Sequence, residues 1–249
     1  MEIKNNPVGR LHDILFNAYN YRDADVTQRV WESVLDAPVG DAGVLLKRLS
    51  EVIALKDQAK QAIIDGIEGD QSLYLAPFPK IDQIFARVDL SSGWSNSKQF
   101  LNEATLNALA FGNHALSTKH GTCNLTSEQV IDFIEKLDHL LRDCLSSNLP
   151  EALQKLFQKN LESLRQALIC YKISGAEGLQ NEIDRTIGAM SRYSSELLDQ
   201  TDETSQGFMK SVFELIGNIN NSIQLTETAL KLAGPAVIAL LPLVQSLCK

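Results

Sequence analysis

Behind Asn6 and Pro7, the apolar residues Leu11, Ile14, Leu15 and Ala18 return at steps of three and four. A capping amide followed by proline at the first helical position predicts a helix from about Pro7 to Tyr19. Val30, Trp31, Val34 and Leu35 predict a second around Thr27 to Leu35, which "DAPVGD" stops with Pro38 and Gly40. Asp41 can cap a long third helix, whose stripe of Leu45, Leu49, Val52, Ala59, Ile63 and Ile67 lasts until "EGDQS". In "LYLAPFPKIDQIF" the prolines Pro77 and Pro79 interrupt any continuous helix. They predict an extended entry before Ile81, Ile84, Phe85 and Val88 resume the period. "SSGWSNS", residues 91 to 97, reads as a loop, and Leu101, Leu106, Leu109 and Ala110 as a further helix that fades in residues 112 to 124.

The pattern then becomes more regular. "TSEQ" at Thr126 to Gln129 has capping-box form, and Val130, Ile134, Leu137, Leu141 and Cys144 follow at steps of 4, 3, 4 and 3. Pro150 opens the next helix, with Leu153, Leu156, Phe157, Leu161, Leu164 and Leu168 facing inward until Gly175 breaks it. Leu179, Ile183, Ile187, Met190, Tyr193 and Leu197 span 18 residues in five steps, the helical period of 3.6. These two segments predict an antiparallel hairpin. Phe208, Val212, Leu215, Ile216, Ile219 and Ile223 restart the pattern. No strand signal competes, so the expected fold is all-α, a bundle of about eight or nine helices. The expected organisation is an N-terminal subdomain over 1–90, a main bundle over 98–231 and an apolar closing segment over 232–249, or all of these in one domain.

Composition narrows the function. The 31 acids against 23 bases give a net charge of −8, and an acidic surface repels phosphate backbones, so nucleic acid is not an expected partner. "MEIKNNPVGRL" lacks the positive end and apolar run of a signal peptide. Cys123, Cys144, Cys170 and Cys248 are too few and too scattered for a disulfide framework, which points to a reducing cytoplasm.

Chemistry-bearing residues form no recognisable constellation. His114, His120 and Cys123 share one loop, but their spacing matches no usual zinc pattern and no orienting acid accompanies the thiol. Glu135 and His139 lie one turn apart beside Asp132 with Lys136 and Asp138 with Arg142, a set that reads as surface ion pairs. Cys144 and Cys170 read as small buried hydrophobes. Neither GxxxxGK[ST] nor GxGxxG occurs. Neither an enzyme, a metal nor a cofactor is expected. Trp94, between Gly93 and Ser95, is a candidate anchor for a partner, with folding back onto the bundle as its alternative.

The closing stretch "LAGPAVIALLPLVQSLCK" carries the most pointed clue. Its charge-free core from Leu232 to Val244 has 13 residues, about 20 Å as a helix against the roughly 30 Å of a bilayer's hydrocarbon. It is too short for a single span. Gly234 and Pro235 either turn it to dock into the bundle or act as the hinge that releases it toward a partner, another copy or a lipid surface. The residues singled out are Leu232, Pro235, Val237, Ile238, Leu240, Leu241, Pro242, Leu243 and Val244.

"RVWESVL" at 29 to 35, "LYLAPFPKI" at 73 to 81 and "ICYKISGAEGL" at 169 to 179 occur in an order that resembles a set of uncharacterised bacterial all-helical proteins. The resemblance implies a bacterial cytosolic setting and an accessory role, of which defence or toxin systems are one example; it brings no activity and no functional residue. The sequence therefore reads as a non-enzymatic helical scaffold or adaptor that works through protein contacts, as an oligomer, with residues 150 to 199 and the closing segment as contact surfaces. The alternative is a membrane-perturbing effector, cytoplasmic or peripheral to the membrane, whose segment 232–249 is released on a signal.

Overall fold

The structure is a computed structural model and describes residues 4–86, 89–117, 125–200 and 202–223. Among them the fold is all-α: nine helices of seven or more residues, three short helical turns and no strand. The chain divides into two compact units.

The N-terminal unit comprises Lys4–Gly121 together with Lys172–Gly175. Helix α1, Pro7–Tyr19, starts where expected: the Asn6 side chain accepts from the Gly9 N–H at 2.8 Å, and Pro7 needs no donor there. Helix α2, Thr27–Val34, ends as Asp36 takes a positive φ of 55°, and Gly40, at φ 84°, turns the chain again. Asp41 caps α3, Ala42–Gly66, through the Val44 N–H at 3.0 Å. The short turn α4, Ser72–Leu75, precedes α5, Phe78–Ala86. The extended entry expected before Ile81 is therefore absent. Pro79 lies in the first turn of α5, where its missing N–H breaks no intrahelical bond.

The stretch of residues 91–97 lies wholly inside the N-terminal unit. It is laid against residues 23–28 by backbone bonds: Thr27 N–H donates to Ser92 O, Gln28 to Leu90 O, Trp94 to Asp25 O and Ser95 to Asp23 O, all at 2.7–3.0 Å. The turn α6, Ser95–Lys98, leads to α7, Glu103–Ser117, which packs along α1 as α3 does. A Cβ added at Gly112 would lie 3.2 Å from Val8 Cγ1, so the small residue permits the close approach of α7 to α1. Leu11, Leu15, Trp31, Leu45, Leu55, Ile63, Phe78, Ile81 and Leu109 form its core, joined from far along the chain by Ile173.

The C-terminal unit contains the described residues of 125–171 and 176–223. Thr126 and Gln129 make the expected capping box on α8, Ser127–Ser146. Helix α9, Glu151–Ile169, runs antiparallel to it. The separation of paired residues grows away from the connection, from Ser147 with Gln154 to Asp138 with Arg165. The next helix, α10, Tyr171–Ser191, is interrupted at Gly175 (φ 67°, ψ −165°). After the turn α11, Ser194–Leu198, comes α12, Glu203–Ile223, which packs against α8. The closest pairing in this unit is thus α8 with α9, not α9 with α10 as the sequence pattern suggested; α10 joins the common core through Leu179, Ile183, Ile187 and Met190. These side chains pack with Leu137, Phe157, Leu161, Leu164, Met209, Val212 and Ile219.

Candidate functional site

Trp94 is fully buried and offers no surface anchor. Its ring meets Trp31 edge-on at a centroid distance of 5.4 Å, and its Nε1–H donates to Ala18 O at 3.0 Å. Ala18 lies in the last turn of α1, where helix carbonyls lack intrahelical donors, so the indole is a cap for α1 as well as core. The other contact candidates, Leu232, Pro235, Val237, Ile238, Leu240, Leu241, Pro242, Leu243 and Val244, lie outside the described residues.

Candidate chemistry does not converge where it can be followed. His114 is exposed in the last turn of α7, while His120 and Cys123 fall outside the described residues. Glu135 and His139 are both exposed on α8. The ion pairs beside them differ from expectation in one respect. Lys136 does reach Asp132, at 2.7 Å, but Asp138 pairs at 2.6 Å with Arg165 of the adjoining α9 rather than with Arg142. Cys144 is buried, its Sγ directed to Gln154 O at 3.6 Å, and burial pushes its thiol above the ordinary range. Cys170 is only half-buried, at the end of α9. Among the described residues no three His, Cys, Asp or Glu side chains group as a metal site requires.

The buried charges of the N-terminal unit hold loops in place. Glu32 accepts from Gly40 N–H at 2.9 Å, Gln28 Nε2 at 2.6 Å and Arg29 Nη1 at 3.2 Å. These bonds, led by that from Gly40, keep its carboxyl below the usual range. Arg48 donates to Leu35 O at 2.6 Å, and Arg10 donates to Ile173 O at 3.1 Å. Lys172 donates to Val34 O at 2.6 Å and pairs with Asp36. Each group is committed to a backbone carbonyl or a turn and holds connecting segments against the helices.

The surface is more suggestive. Ile64 on α3, Leu73 on α4 and Phe111 on α7 are 43%, 58% and 58% exposed. Helix α4 packs against both α3 and α7, and a Cβ at Gly112 would lie within 4 Å of Ile63 and Tyr74, the chain neighbours of Ile64 and Leu73. Three exposed apolar side chains are therefore carried by elements that meet around one glycine. Sequence periodicity missed Ile64 and Phe111 because each flanks a buried residue, Ile63 and Gly112, and missed Leu73 because α4 is a single turn with no buried residue. On α8, Leu145 is 70% and Ile131 56% exposed.

Fold and surface together define an all-α protein of two helical units, each with its own hydrophobic core and apolar side chains left on helix faces. No family model matches the chain, and no curated protein or solved structure matches it either.

Proposed function

We propose that the protein is a non-enzymatic helical scaffold or adaptor that acts through protein contacts. The observation that carries this reading is the set of Ile64, Leu73 and Phe111, exposed on three elements that pack together. Solvent-facing apolar groups on elements that pack together are the kind of surface a partner covers. The resemblance to bacterial helical proteins is the ground for placing the adaptor in a bacterial cytosol. The test is affinity capture with the full-length protein and with a Leu73→Glu/Phe111→Glu variant, alongside sedimentation over a range of concentrations. A partner or self-association lost in the variant, at unchanged circular dichroism, supports the reading. An identical set of captured proteins and an identical sedimentation profile refute it.

A second reading, the membrane-perturbing effector, is favoured by the 13 charge-free residues from Leu232 to Val244. Among the described residues no helix is long and apolar enough to cross a membrane, so this reading rests on the closing segment alone. Flotation with anionic and neutral liposomes, comparing the full chain with one ending at Lys231, separates the two. Flotation of the full chain alone favours the effector. Failure of both to float removes that reading.

A further inference from the structure

We propose that a cavity in the C-terminal unit, between the end of α8 and the start of α12, binds an alkylammonium group. The cavity has a volume of about 290 Å³, with Leu140 and Phe208 as its apolar wall. That places it near the lower end of the volumes that hold small ligands.

Its polar lining has one chemical sense. The Ser146 hydroxyl donates to Asp143 O at 3.1 Å, the Ser147 hydroxyl to Cys144 O at 2.7 Å and the Ser211 hydroxyl to Gly207 O at 3.0 Å. Each of these three lining serines has committed its one hydrogen to its own helix and has only lone pairs to offer a ligand. Asp143, also in the lining, is an acceptor and has no ion-pair partner among the described residues. Only the Thr204 hydroxyl is free to take either role.

The two helix ends at the cavity oppose each other: the C-terminal end of α8, with no basic residue in its last turn, favours a cation, and the N-terminal end of α12 favours an anion. The first turn of α12 carries Glu203. The serine acceptors and the Asp143 carboxylate suit a group with several N–H donors and no acceptor, which describes an ammonium. Leu140 and the Phe208 ring suit the alkyl chain attached to it, and an aromatic face also attracts a cation. This site is independent of the contact surface on the N-terminal unit.

The test is amide chemical-shift titration of the full-length protein with n-butylammonium chloride, with potassium chloride at equal ionic strength and 1-butanol as controls. Expected are saturable shifts, on the order of millimolar affinity, at Ser146, Ser147, Gly207 and Ser211 with butylammonium alone. Asp143→Asn weakens binding about tenfold, as loss of a charge-assisted bond does. Gly207→Leu removes the shifts by occupying the space; a Cβ at Gly207 meets no atom within 4 Å, and unchanged circular dichroism checks that this variant keeps its fold. Acetyl-lysine methylamide in place of butylammonium distinguishes a lysine side chain from a free amine as the natural source. Equal shifts with butanol or potassium chloride, absence of saturable shifts, or full affinity in both variants would overturn the proposal.

Discussion

Gly175→Ala tests how the N-terminal unit is closed. Gly175 sits at φ 67° and ψ −165°, and an added Cβ would lie 2.5 Å from Arg10 Nη1 and 2.6 Å from Arg10 Cζ. Forcing alanine into that backbone region, which glycine alone occupies readily, costs about 1–3 kcal/mol. The Arg10 side chain must also withdraw, and losing its charged bond to Ile173 O costs a further 1.5–3 kcal/mol or so. The sum, about 2.5–6 kcal/mol, is a large share of the stability of an ordinary domain. Both tryptophans, Trp31 and Trp94, belong to the same unit as Gly175, so selectively excited tryptophan fluorescence during urea unfolding reports on that unit alone. With a slope of about 1–3 kcal/mol per molar urea, the midpoint falls by roughly 2 M. In an Arg10→Ala background the same substitution costs only the backbone strain, and the difference is the coupling between the two residues. Gly188→Ala, in the other unit and with nothing within 4 Å of its Cβ, serves as control and leaves this midpoint unchanged. A Gly175→Ala midpoint within about 0.5 M of the parent, or equal costs in both backgrounds, would sink the argument.

Three further outcomes are expected. Trp94→Phe removes the indole bond to Ala18 O and part of the contact with Trp31, and lowers the thermal stability of the N-terminal unit by about 1–3 kcal/mol; no change in calorimetry would contradict its role as core and cap. Burial raises the Asp13 carboxyl, but bonds from His12 and Lys4 at 2.9 and 2.6 Å outweigh it and hold the group below its ordinary value. Its contribution is therefore full above the unfolded-state value and is lost as pH falls through the folded one, so Asp13→Asn flattens the acid limb of the stability profile below about pH 5; an unchanged limb would refute this. Buried Cys144, with its raised thiol, reacts with iodoacetamide more slowly than half-buried Cys170 in the native protein, read by peptide mass spectrometry; equal rates would count against its burial.

Local signals were legible where they are self-sufficient. Asn6 with Pro7, Asp41, and Thr126 with Gln129 each place a helix start through contacts within three or four residues, and the helices begin there. Gly175 likewise marked a break, although the helix opened by Pro150 already ends at Ile169 and the break falls inside α10. What escaped depends on partners distant in sequence. Nothing near Trp94 announces that residues 90–95 will bond to residues 23–28, or that the indole will reach Ala18, 76 residues away. Asp138 had a suitable partner at Arg142, one turn on, yet the adjoining α9 supplied Arg165 instead. The cavity beside α8 was hidden for a related reason: serine hydroxyls read as neutral polar surface until their bonds to the backbone fix which way they donate.

The return of Lys172–Gly175 to the N-terminal unit also bears on how the chain is made. Arg10 and Ile173 are 163 positions apart, and Lys172 and Val34 are 138 apart. Domains ordinarily fold as they emerge during synthesis, the N-terminal one first. Here the first unit emerges without Ile173, a buried member of its core, and stays unfinished until Thr122–Tyr171 of the second has been translated. Its loop-closure entropy is met only then. A fragment ending at residue 121 would expose the seat of Ile173 and leave Arg10 without that carbonyl, so the gene cannot be cut at the obvious boundary between units without cutting into the first of them.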